Sequence, residues 1–229
     1  MDKSADDVVE RENGNALARK LKGFWNQTKL QLTEEGKMGQ YYRVVVMSNG
    51  TSDVFDIETK DGEETQYHGV KLMEHSYWSH PFCVSLAASL YYNPKKVAWI
   101  GDYAKEEECK AATGGKGRNF VWGSRYEKPF ILNKVFDMDK PKYLINNTKK
   151  VFVDLVKYKK ESETNNQYDI IHPIPLLTAV GNDMGGGDFH ENRAKKGYEK
   201  VGTWAGHEIY LADDVPEGYT EEEVAFVEE

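Results

Sequence analysis

The run KKVAWIGDYA, residues 95–104, constrains the fold more than any other stretch. After its two lysines it is almost continuously apolar until Asp102. A strand with one wet face alternates polar and apolar residues, whereas an unbroken apolar strand is buried on both faces. The chain must therefore lay covering elements on each side of this strand. One cover stands directly before it. SHPFCVSLAASLYYNP, residues 79–94, offers Ser79 as an N-cap, Pro81 near the first helical position and Asn93-Pro94 as a stop. Phe82, Leu86 and Leu90 recur every four residues, with Cys83, Ala87 and Tyr91 beside them, a broad small-residue face suited to close packing on a sheet.

Neighbouring strands are legible upstream. YYRVVVMSNG (41–50) is a strand closed by Asn49-Gly50, the favoured two-residue hairpin turn. SDVFDIET (52–59) alternates Val54, Asp56 and Glu58 against Phe55 and Ile57, and Asp61-Gly62 makes a second turn. TQYHGVKLMEHSYW (65–78) reads as a third strand, so an antiparallel meander is expected over 40–78. Further upstream, Ala16, Leu17, Leu21, Phe24 and Trp25 predict a helix over Gly14–Leu32. After the loop ATGGKGR (112–118), strands are expected at NFVWGS, KPFILNKVF, KYLINNT, KKVFVDLVKY, YDIIHPIPLL and GTWAGHEIYLA. The expected class is α+β: a mostly antiparallel twisted sheet or partial barrel with one or two packed helices. A tail at 1–14 and an acidic tail at 213–229, with one helical turn or none, flank a single domain at 15–212.

Composition narrows the function classes. Of 229 residues, 39% are hydrophobic and 12% aromatic, enough for a sizeable core. With 38 acidic against 30 basic residues the net charge is −8, which repels phosphate and disfavours general binding to duplex nucleic acid. Cys83 and Cys109 stand in no metal-ligand spacing. No apolar leader or membrane-length run occurs, so a cytoplasmic chain with reduced thiols and no membrane partner is expected.

Four constellations carry chemistry. Glu74 and His75 at one strand end and Asp102 at another are catalytic candidates, and His172, Asp188 and His190 are candidate metal ligands. Imidazole nitrogens and carboxylates together suit a divalent-metal hydrolase, although no HExxH or binuclear carboxylate spacing is present. Glycine dominates TGGKGR (113–118) and AVGNDMGGGDFHE (179–191). Successive backbone N–H groups of that kind form anion nests, which Lys116 and Arg118 would reinforce. Neither loop is a P-loop or a dinucleotide fingerprint. Gly186, Asp188 and Trp78 join them as ligand-binding candidates, Trp78 as an exposed stacking ring, whereas Trp99 and Trp204 read as core. Cys83 three residues after His80 would make a Cys–His pair, but its apolar neighbours favour burial. No cofactor is specified.

The strings KLMEHSYW, VAWIGDYA, KYLINNTKK and HPIPLLTAVGNDMGGGDF…VGTWAGHEI, spread over roughly residues 40–211, resemble uncharacterised proteins of bacteriophages and mobile elements of Gram-positive bacteria. That resemblance brings no catalytic residues. It implies an accessory protein in the host cytosol that counters host defence by binding a host protein or a small nucleotide-like ligand. The alternative is a metal-dependent hydrolase acting on a phosphate-bearing substrate.

Overall fold

Strands β1 (Tyr42–Ser48) and β4 (Lys95–Gly101) pair antiparallel in the middle of the sheet, with Val44 opposite Trp99 and Val46 opposite Val97. Period-two geometry then sorts their side chains onto two faces. Val44, Val46, Val97 and Trp99 enter a large core on one face; Val45, Met47, Ala98 and Ile100 enter a smaller one on the other. Both faces of β4 are buried, as its unbroken apolar run requires.

In this computed structural model the described residues are 39–48, 51–55, 57–58, 69–123, 130–131, 136–162 and 170–228. The helix expected at 14–32, the tail at 1–14 and the Asp61-Gly62 turn lie outside them. Strand β2 (Thr51–Phe55) pairs with β1 antiparallel, Thr51 opposite Ser48, and two-residue β3 (Ile57–Glu58) pairs with β5 (Phe130–Ile131). The main sheet continues through β6 (Tyr143–Asn146), β7 (Val151–Asp154), β8 (Ala179–Val180), β10 (Glu208–Ala212) and β11 (Thr220–Glu221). Its order is β11-β7-β6-β10-β4-β1-β2, an open path, with β8 pairing on β4. Strand β9 (Ala194–Lys196) pairs separately with β12 (Val227–Glu228). Of these main-sheet pairs, β4 with β8 and β7 with β11 are parallel and the rest antiparallel. The fold is α+β with a mostly antiparallel, unclosed sheet.

Helices are more numerous than expected: six are present among the described residues. They are α1 (Leu72–His75), α2 (Pro81–Leu90), α3 (Glu106–Ala112), α4 (Arg118–Gly123), α5 (Leu155–Ser162) and α6 (Pro173–Thr178). The third meander strand is thus replaced, in its described part, by isolated bridges at Val70 and Tyr77 and the turn of α1. Strands expected at NFVWGS and YDIIHPIPLL are helices α4 and α6, and KKVFVDLVKY is half strand, half helix. Helix α2 spans its expected segment, with Phe82 edge-on to Trp99 at 5.2 Å. Its N-cap is His80, not Ser79. The segment after Asp213 forms strands rather than a helical turn, and it packs: Val224, Ala225 and Phe226 are buried, Phe226 against Phe189 at 5.3 Å. No helix among the described residues is long and apolar enough to cross a membrane.

Candidate functional site

Parallel strands β4 and β8 end side by side at Gly101-Asp102 and Val180-Gly181, the kind of strand end where ligands gather in open sheets. The polar residues there are engaged with one another. Asp102 exchanges hydrogen bonds with Tyr41, its backbone N–H donating to the Tyr41 carbonyl at 2.9 Å and its Oδ1 accepting from the Tyr41 N–H at 3.3 Å. The Arg118 guanidinium donates to the Asp102 carbonyl. The buried Gln40 amide donates through Nε2 to the Gly181 carbonyl at 2.9 Å.

Asp188 is buried at the centre of the glycine-rich loop. It accepts from the Tyr42 hydroxyl and from the backbone N–H groups of Met184 and Gly185, each at 2.9 Å. The loop therefore wraps around its own carboxylate rather than around a ligand. Burial pushes the carboxyls of Asp188 and Asp102 above the usual range and, with Asp188 adjacent, the Tyr42 phenol upward. The loop docks on α1, where the Met73 N–H donates to the Gly187 carbonyl at 3.0 Å, and on the residues before β1, where the Gln40 N–H donates to the Gly186 carbonyl at 3.0 Å. The candidate side chains nonetheless turn elsewhere: Asp188 to Tyr42, and His190 to Asp183 at 2.7 Å.

Three further histidines, His75, His80 and His172, have structural partners. His80 and His172 each precede a proline that opens a helix, and each Nδ1 accepts the N–H two residues on, Phe82 at 3.2 Å and Ile174 at 3.1 Å. His75 Nδ1 lies 3.1 Å from the Lys71 backbone, and its ring meets His80 edge-on at 5.0 Å. Burial pulls both rings down, His80 to about 4. Glu74 is exposed and paired with Lys71 at 2.9 Å. The catalytic candidates are thus divided, Glu74 and His75 on α1 and Asp102 beside Tyr41 and Arg118. The metal candidates His172, Asp188 and His190 hold separate hydrogen bonds, and among the described residues no three His, Cys, Asp or Glu side chains form a metal-holding group. Trp78 is buried against His172 at 4.8 Å, not exposed for stacking. Cys83 is buried and its thiol donates to the His75 carbonyl at 3.3 Å.

In the TGGKGR loop a single backbone N–H meets an anion, and that anion is internal. The Arg118 N–H donates to Glu106 Oε2 at 2.9 Å, and the carboxylate fills the space a Cβ on Gly117 would take. That hydrogen bond holds the Glu106 carboxyl below its usual range. Lys116 is exposed, its ammonium 4.4 Å above the Phe120 ring.

What the sequence did not announce is a cleft of about 770 Å³ behind these loops. Its walls are the outer turn of α3 (Glu108, Ala111, Ala112), the end of β8 with Gly181 and Asn182, and the segment from Tyr198 to His207. Alanines and glycines make half of the lining, so much of the space is left by small side chains. The third wall is stitched in place by backbone bonds: Gly202 to Leu176 at 2.9 Å, Trp204 to Leu177 at 2.7 Å and Gly206 to Val97 at 2.8 Å. Fully buried Trp204 anchors it, its indole N–H donating to Glu222 at 3.1 Å. Gly206 sits at φ 74°, and a Cβ there would fall 2.5 Å from the Ala112 carbonyl, so this crossing of wall and helix needs glycine. The polar lining is Glu108, Asn182, Tyr198, Glu199 and His207. Asn182 holds Phe189 through both its amide groups, at 2.8 and 2.9 Å, and lies 3.5 Å from the Tyr198 hydroxyl. Burial lowers the His207 imidazole, helped by Lys149. The one sequence trace of this site is GTWAG, two glycines bracketing a core tryptophan.

No family model, no curated protein and no solved structure matches this chain.

Proposed function

We propose that this chain is an accessory binding protein of a bacteriophage or mobile element rather than a catalyst, and that its ligand enters the cleft between α3 and residues 198–207. The volume of about 770 Å³ carries this reading, because it lies in the range of small-molecule sites and its walls are held by backbone hydrogen bonds. Capture of a small molecule, or of a side group projecting from a host protein, would serve an element that counters host defence. The resemblance of the KLMEHSYW and VAWIGDYA strings to such elements supports that setting.

A nucleotide held by Lys116 and Arg118 has less support, since Glu106 already takes the Arg118 N–H and the space beside Gly117, and the Arg118 guanidinium is engaged with Asp102. Metal-assisted hydrolysis has less support for a similar reason: each candidate ligand has a structural hydrogen bond of its own. Thermal denaturation with a panel of nucleotides, polyamines, sugars and divalent metals tests the proposal. Ligand at a hundred times Kd stabilises the native state by about 2.7 kcal/mol, raising Tm by roughly 5–10 °C for a chain of this size. Ala111 is exposed on the cleft wall, so Ala111→Trp fills the space while leaving the core intact. At least one compound should stabilise the wild type and leave Ala111→Trp unmoved. No shift with any compound, or shifts that persist in Ala111→Trp, would overturn the proposal.

A further inference from the structure

We propose that His75 and His80 form a two-step acid switch at the elbow between α1 and α2: the first proton settles on His75, and the second, on His80, removes the cap of α2 and parts α1 from it. The elbow shares no lining residue with the cleft.

The two rings meet edge-on, with centroids 5.0 Å apart and planes at 74°. They join the last residue of α1 to the residue that caps α2. A second tie runs between the helices, the buried Cys83 thiol donating to the His75 carbonyl at 3.3 Å. What a new proton meets differs between the rings. His75 Nδ1 stands 3.1 Å from both the backbone N–H and the backbone carbonyl of Lys71. A neutral ring accepts from that N–H, and a protonated ring donates to that carbonyl without leaving its place. His80 Nδ1 accepts the Phe82 N–H at 3.2 Å. A proton there sets donor against donor, so the cap is lost, and it places a cation at the positive end of the ten-residue helix α2. Burial opposes charge on either ring. On His75 the Lys71 carbonyl and the Glu74 carboxylate favour the proton, and the Lys71 ammonium opposes it. On His80 repulsion from His75 adds to burial, and the affinity falls to about 4. The loop docked on α1 brings Asp183, Asp188 and His190, which are bonded within the loop or to Tyr42. His75 therefore protonates first and His80 second. With both charged, two cations face each other across the elbow and α2 has no cap. Helix α1 is a single turn, so it opens locally while the sheet stays folded.

NMR of the ring nitrogens and of amide exchange, followed from pH 6.5 to about 4 and below, tests the switch in wild type, His75→Gln and His80→Asn. In wild type His75 should titrate at the higher pH, with its Nδ1 gaining the proton. Protection of the amides at 71–75 and 82–85 should be lost as His80 titrates, while those of β1 and β4 keep theirs. His75→Gln removes the first charge and should raise the His80 midpoint by roughly half a pH unit to one unit. His80→Asn keeps a cap that does not titrate, so it should hold the elbow closed and leave the His75 midpoint in place. Protection lost as His75 titrates, or lost equally in His80→Asn, would overturn the switch. It falls as well if His80 takes the first proton, if its midpoint ignores His75→Gln, or if β1 and β4 open together with the elbow.

Discussion

Asp188 shows how a residue with catalytic chemistry can be consumed by structure. Its carboxylate accepts three hydrogen bonds, and those bonds shape the loop that the three glycines make possible. Asp188→Ala leaves the Tyr42 hydroxyl and two backbone N–H groups unpaired in the interior, and should cost about 2–4 kcal/mol in chemical denaturation. Titration separates the charge from the hydrogen bonds. Burial raises this carboxyl above 3.8, so as pH climbs past 3.8 the unfolded chain releases the proton first and the folded chain loses stability through that window. Near-isosteric Asp188→Asn lacks this loss, so its stability relative to wild type should improve as pH rises from 3.8, measured by urea midpoints across the range. A constant difference would show that the charge carries no cost in the fold.

At the scale of elements, the same dipeptide opens two helices: His80-Pro81 for α2 and His172-Pro173 for α6. Proline takes the first helical position and the preceding imidazole nitrogen caps the second amide. This explains why histidines that look like ligands in the sequence serve as caps instead. The capping role of His80 requires a neutral ring. Its proton affinity is lowered to about 4, so between pH 6.5 and 4 the unfolded chain binds a proton that the folded chain refuses. Stability contributed by His80 is therefore complete above 6.5 and is lost as pH falls toward 4. Asparagine also caps helices but does not titrate, so Tm of His80→Asn should fall less than that of wild type over this interval. A parallel decline would assign the pH response to other groups, the His75 ring first among them.

Strands β1, β4, β6 and β10 were legible because alternation or an unbroken apolar run marks them. Helix α6 was not, because Pro173–Thr178 is buried on every side, and a short segment without a polar face carries no period to tell helix from strand. Helix α4 was missed for the opposite reason: six residues, with Val121 alone buried, give too little pattern. The cleft was illegible because its lining residues come from segments nearly a hundred positions apart and half of them are glycine and alanine. Glycine at such a crossing is testable. Gly206→Ala must move the Ala112 carbonyl and should cost about 2–4 kcal/mol, while Gly114→Ala, at φ 68° with open space around it, should cost about 1 kcal/mol. Equal losses would mean that the wall and α3 are not packed as closely as the backbone distances show.

Across the whole molecule, the sheet separates two cores, and the cleft opens on the side where α3 covers the smaller one. The two glycine loops that dominate the sequence flank this region as structural turns, one closed on Asp188 and the other on Glu106. Amide hydrogen exchange distinguishes a ligand in the cleft from a ligand on those loops. Exchange should be followed with and without the compound that gives the largest thermal shift. Protection is predicted at residues 106–112, 179–182 and 198–207, with residues 113–118 and 183–188 unchanged. Protection centred on 113–118 or 183–188, with the cleft walls exchanging as before, would contradict the assignment of the site.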